Sequence, residues 1–223
     1  MLEKHLIART EPVALQGNVI VEKDLRITVL TDRLFRIEQE PEGHFCDQAT
    51  QTVWYRRTEN VSYFVDRTDG ELKVVTDKAV LVWKGTVEDS YVMFTGEEEK
   101  RYLNNSENLF GTYRTLDCCD GDNFISFDRD GQPAEKITLG LGVMSRNGVA
   151  ILDDSQSLIL KEDGMLERRS STEKDCYVFA YGRDYRDALR ALFTICGKTP
   201  LIPRFALGNW WSRYHAYTEK EYL

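Results

Sequence analysis

Between residues 25 and 181 the sequence repeatedly offers short stretches in which apolar side chains recur at every second position, separated by polar, Gly- or Asp-rich turns. A period of two is the period of a β-strand with one face toward a core. In Leu25-Arg26-Ile27-Thr28-Val29-Leu30, the residues Leu25, Ile27 and Val29 fall on one face. Thr31-Asp32-Arg33 supplies a turn, and Leu34-Phe35-Arg36-Ile37-Glu38 returns with the same period, which predicts a hairpin. Further strands are expected at 52–56, 61–66, 72–76, 79–83, 91–94, 124–127, 148–153 and 176–181. So many short strands at close spacing argue for an all-β sandwich or barrel.

The pattern changes near residue 184. Asp184 is a good N-cap. Tyr185, Ala188, Leu189, Leu192, Phe193 and Cys196 recur at helical spacing, Gly197 suits a helix end, and Pro200 blocks continuation. Beyond it, Phe205-Ala206-Leu207-Gly208-Asn209-Trp210-Trp211 is apolar on both faces, as in a strand of a parallel sheet. Thr218-Glu219-Lys220-Glu221 has the form of a capping box. A helix of about five residues cannot stand alone, since isolated helices need roughly 12–15. The expected organisation is a β domain over 1–182, a linker helix and loop over 183–203, and over 204–223 the first strand and helix start of a truncated α/β domain. A frayed tail is the alternative for that last segment.

Apolar residues make up 42% of the 223, enough for a real core. The formal charge of −8, with 29 basic residues and no basic block, disfavours nucleic acid as a partner. No run of about 18 apolar residues suggests a membrane span, and MLEKHLIARTEP has no apolar core of signal-peptide length. Five cysteines without a CxxC encode neither a disulfide framework nor a zinc site, so free thiols in the cytoplasm are expected. The three histidines, His5, His44 and His215, have no metal-ligand spacing; no metal and no cofactor is expected, and His44 reads as a solvated loop residue. Gly140-Leu141-Gly142 lacks the surroundings of a dinucleotide fingerprint and reads as strand and bend. The charge run at 97–101 reads as a solvated loop.

Two places could contact a sugar. The stretch from Asn108 to Asn123 places Asp117, Asp120 and Asp122 within six positions, and carboxylates accept strong hydrogen bonds from hydroxyls. An Asx-turn-rich loop is the simpler explanation. Trp211, Arg213 and Tyr214 sit in an aromatic cluster with Trp210 and Tyr217, and aromatic faces stack on pyranose rings; core packing is the competing explanation.

Several segments together resemble glycoside hydrolase family 31, the α-glucosidase and α-xylosidase family. They are Phe35-Arg36-Ile37-Glu38 with Phe45-Cys46-Asp47-Gln48-Ala49-Thr50-Gln51-Thr52-Val53-Trp54, the Gly111-Thr112-Tyr113-Arg114-Thr115-Leu116-Asp117 stretch, Ser145-Arg146-Asn147-Gly148 through Leu152-Asp153-Asp154-Ser155, Asp175-Cys176-Tyr177-Val178-Phe179-Ala180-Tyr181-Gly182 with Asp184-Tyr185, and Pro200 to Leu223. The resemblance implies a galactose-mutarotase-like β-sandwich, a linker helix, and the start of a (β/α)8 barrel. It implies a retaining exo-α-glycosidase acting on α-linked oligosaccharides or glycosides. Retention uses two carboxylates about 5–5.5 Å apart. In that family both are Asp on later barrel strands, which these 223 residues do not contain, so no catalytic residue is assigned. The loop carrying Asp117 to Asp122 is the expected contribution to the sugar pocket. An apolar first barrel strand implies self-association into a homo-oligomer. The rival readings are a stand-alone carbohydrate-binding module and, last, a mutarotase-like epimerase, whose general acid and base are usually His with Glu.

Overall fold

The computed structural model describes residues 3, 5, 7–110, 119–120, 123–127, 129–130, 133–138, 140–169, 174–199, 201–209 and 215–222. The chain is mainly β, with 36% strand against 15% helix. It opens with β1 (Val19–Glu22), β2 (Leu25–Thr31) and β3 (Leu34–Gln39), a meander, followed by the two-residue β4 (Ala49–Thr50). A second meander runs through β5 (Tyr63–Asp66), β6 (Leu72–Thr76), β7 (Ala79–Trp83), β8 (Tyr91–Phe94) and β9 (Arg101–Tyr102). Then come β10 (Asn108–Phe110), β11 (Cys119–Asp120), β12 (Asn123–Phe127), β13 (Pro133–Thr138) and β14 (Leu141–Ser145). The last strands are β15 (Val149–Asp153), β16 (Ile159–Leu160), β17 (Leu166–Glu167) and β18 (Lys174–Ala180), followed by helix α1 (Tyr185–Cys196) and the short α2 (Glu219–Tyr222).

Two five-stranded antiparallel sheets dominate. One has the order β1-β2-β3-β18-β15, the other β5-β6-β7-β8-β9. β18 thus returns from late in the chain to pair with β3, placing Phe35 opposite Val178 and Arg36 opposite Tyr177. The sheets share one apolar core. Ile27, Val29, Phe35, Ile37 and Val178 come from the first sheet, and Val74, Leu81 and Val92 from the second, all completely buried. The expected face of Leu25, Ile27 and Val29 is the one that meets this core.

The other face of the first sheet is buried too. Leu30, Leu34, Ala150, Tyr177 and Phe179 pack against Ala188, Ala191 and Ile195 of α1. The helix lies where its periodicity places it, and Gly197 at its end has φ +90°. Asp184 stands at the N-cap position, but its carboxylate makes no cap hydrogen bond. It instead accepts from Arg33 Nη1 at 2.6 Å, tying the helix start to the β2–β3 turn.

A glycine pair fixes how β15 meets the end of β18. Gly148 has φ +86°, a conformation L side chains rarely adopt. A Cβ there would stand 2.6 Å from the Gly182 Cα, and Gly182 N donates to Gly148 O at 3.0 Å.

Two sequence expectations fail on physical grounds. The strand expected at 52–56 is absent; only an isolated bridge joins Glu11 to Tyr55. Its backbone donors are used irregularly: Val53 N by the Thr50 hydroxyl, Trp54 N and Tyr55 N by Ile195 O, and Arg56 N by Glu11 O. The strand expected at 205–211 is also not formed over its described part. Arg204–Leu207 is instead a 3-10 turn, with Phe205 80% and Leu207 71% exposed. A strand needs a partner edge to satisfy its backbone, and none of the described strands pairs with this segment. No barrel is formed among the described residues. The capping box does form: Thr218 N donates to Glu221 Oε2 at 2.9 Å, on an otherwise exposed α2.

Candidate functional site

The sequence candidates do not assemble into a site among the described residues. Asp117, Asp122, Trp211, Arg213 and Tyr214 lie outside those residues, and so does the Trp210 beside them. Asp120 is placed by its backbone alone, in β11 opposite Asn123, within the small sheet β11-β12-β13. His44 is exposed, with the Glu42 carboxylate 3.6 Å from its ring, as a solvated loop residue should be. Residues 97–100 are exposed, while Arg101 reaches back over the Phe94 ring and pairs with Glu97 and Glu99. Leu141 and its neighbours form β14 antiparallel to β10. No cluster of three or more metal-ligating side chains occurs among the described residues.

What the structure does assemble is a buried ionic network on the helix-side face of the first sheet. Strand alternation sets its geometry. With Leu25, Ile27, Phe35, Ile37 and Cys176 turned to the shared core, Arg26, Arg36, Glu38 and Asp175 must turn the other way. The register puts Glu38 between Arg26 and Asp175 in one row, beside the row of Thr28, Arg36 and Tyr177. Two carboxylates directly opposite each other, Glu38 and Asp175, would repel. Arg36 resolves this from the adjacent row. Its guanidinium grips Asp175 bidentately, at 2.8 and 2.7 Å, and stands 3.0 Å from Glu38. Arg26 grips Glu38 bidentately from the other side, at 2.6 and 2.7 Å, and reaches Asp47 at 2.7 Å. Arg36, Glu38 and Asp175 are at most 2% exposed.

The network fastens distant chain segments onto the sheet. The Cys46 carbonyl accepts from both Arg26 and Arg36. Arg56, 1% exposed, donates to Tyr177 Oη at 2.6 Å, to Gln48 O at 2.7 Å and to Pro12 O at 3.3 Å. Arg169 donates to Asp175 Oδ2 at 2.7 Å. Asp154, just past β15, accepts from the Thr50 hydroxyl at 2.8 Å. Residues 46–56, the N-terminal arm near Pro12 and the stretch around Arg169 are therefore tied to the first sheet by side chains, while the small ladder β17-β16-β4 joins two of them to each other.

The electrostatics separate the two aspartates. Burial alone would raise the Asp175 carboxyl, but the charge and hydrogen bonds of Arg36, with Arg56 and Arg169, outweigh it and hold Asp175 well below the usual carboxylate range. At Asp154 burial wins. Helped by the Asp175 charge, it pushes this carboxyl up, against the hydroxyls of Ser157 and Thr50 and the Arg169 charge. Burial likewise pushes up the Tyr177 phenol and the Cys176 thiol, and raises the Cys196 thiol to about 11. Asp175, Asp154, Tyr177 and Cys176 are buried, and the contacts made around them hold chain segments to the sheet.

The sequence did contain a signal for it. Four charged residues, Arg26, Arg36, Glu38 and Asp175, sit inside strands where alternation sends them to one face. Segments distant in sequence, such as the one carrying Cys46, close over that part of the face, and period alone does not reveal it. No known protein family matches the chain, and neither does any curated protein. Fold and site together define a mostly β-sheet protein of several antiparallel sheets, clasped by a buried ionic network.

Proposed function

We propose that these residues are the N-terminal, non-catalytic segment of a retaining exo-α-glycosidase of the family 31 type, with a galactose-mutarotase-like sandwich. One observation carries this reading. The segments on which the resemblance rests lie far apart in sequence, yet four of them meet in one network: Arg36 and Glu38, Cys46 to Thr50, Asp154 and Ser155, and Asp175 to Tyr177. Residues that define a shared scaffold should be neighbours in space, and these are. The helix after the sandwich, and the exposed apolar Leu201, Ile202, Phe205 and Leu207 beyond it, fit a chain that leads toward a further packing surface.

In this reading the sandwich supports a barrel and lends the Asp117–Asp122 loop to a pocket for α-linked sugars. Hydrolysis itself would need the carboxylate pair of that barrel. The test is an assay of the purified, mass-verified chain on p-nitrophenyl α-glucoside and α-xyloside, with calorimetry against glucose and xylose. No turnover is expected. Turnover that disappears on mutating Asp117, Asp120 or Asp122 would overturn the reading. Saturable sugar binding without turnover would favour a stand-alone carbohydrate-binding module.

A further inference from the structure

Within the clasp the acids are not equally well paired. Asp175 has two arginines within 2.8 Å. Asp154 is equally buried, at 0% exposure, but the arginines beside it stand farther off. Arg169 Nη2 is 3.5 Å from its Oδ2 and closer to Asp175, while Arg56 Nη2 is 3.9 Å away. Its hydrogen bond on Oδ2 comes from the neutral Thr50 hydroxyl. Its Oδ1 accepts no hydrogen bond of good geometry, and Arg56 Nη2 is buried without one either. A buried carboxylate is tolerated when paired and hydrogen-bonded, and otherwise sheds its charge by taking up a proton.

We propose that Asp154 is the proton-binding member of the clasp, and that proton uptake there tightens the hold of the sheet on residues 48–56. The groups facing Asp154 come from every element packed around it: Arg56 and Thr50 from the held segment, Ser157 beyond β15, Arg169 beyond β17, Asp175 and Tyr177 from β18, and Cys196 from α1. Tyr177 and Cys196 stay neutral, because burial raises both above their usual values. Asp175 stays charged, so it adds repulsion. Oδ1 is the oxygen open to the proton, since Oδ2 is engaged by Thr50.

The direction follows from linkage. When the clasp opens, Asp154 meets water and its carboxyl relaxes to the ordinary, lower value. The closed form therefore binds the proton more readily than the open one. Closure is favoured as pH falls from neutral toward the ordinary carboxylate range, by roughly tenfold per pH unit at the limit of one proton.

Amide hydrogen exchange across 48–56, corrected for intrinsic rates between pH 7 and pH 4.5, tests this on the whole chain. Protection in the wild type should rise as pH falls. Asp154→Asn copies the protonated state, so its protection at pH 7 should equal or exceed that of the wild type, with no pH dependence. Flat or falling protection in the wild type would overturn the proposal. So would an Asp154→Asn chain that keeps the slope, loses protection at pH 7, or fails to fold, because a neutral isostere of the favoured state cannot be harmful.

Discussion

Arg36 holds together two carboxylates that the strand register places opposite each other. Its partner Asp175 is completely buried and held charged, so neutralising it works against the arginines that grip it. Breaking a buried pair strands the remaining charge and costs about 3–5 kcal/mol. Asp175→Asn is expected to lose about that much in urea unfolding at pH 7. The pH dependence carries the same sign. A depressed carboxyl contributes its stability above the unfolded value and loses it as pH falls through the folded one. The wild-type advantage over Asp175→Asn should therefore be full at neutral pH and vanish in strong acid. A change of under about 1 kcal/mol at pH 7 would show that the arginines find other partners.

At the scale of elements, β15 and the end of β18 meet through two glycines. A Cβ at Gly148 would strike the Gly182 backbone, whereas one at Gly182 would meet only the Phe94 ring at 3.7 Å. Gly148→Ala should thus cost about 1–2 kcal/mol for the left-handed backbone and about 1–3 more for the overlap. Gly182→Ala should bear the first cost alone. Equal losses in chemical denaturation would refute the close approach. What was legible in sequence follows the same physics. The hairpin of β2 and β3 and the helix α1 were readable because each turns a periodic apolar face to a core. The 52–56 segment was misread because apolar Val53 and Trp54 are held by a hydroxyl and a helix end, and pattern does not encode that. The ionic clasp was invisible as a unit, because its members span residues 26 to 175 and only the strand order joins them.

For the whole molecule, the apolar segment after α1 stands apart from both cores. Leu201 is 98% exposed, and none of residues 201–209 is buried. Side chains that bury nothing contribute nothing to the free energy of folding. Removing residues 204–223 should leave the melting temperature within about 2 °C, since 1 kcal/mol corresponds to only 2–4 °C at this size. A large drop would show that the segment is part of the folded core.

The first sheet, oily on the face toward its partner sheet and carrying buried ions on the other, also acts as its own proofreader. Sliding β3 by one residue against its neighbours would swing Arg36 and Glu38 into the oil and lift Phe35 and Ile37 out of it. Most half-buried sheets penalise such a slip only by exposing grease. Here the error would also maroon charges away from water. Misaligned chains should therefore come apart and try again rather than linger as traps.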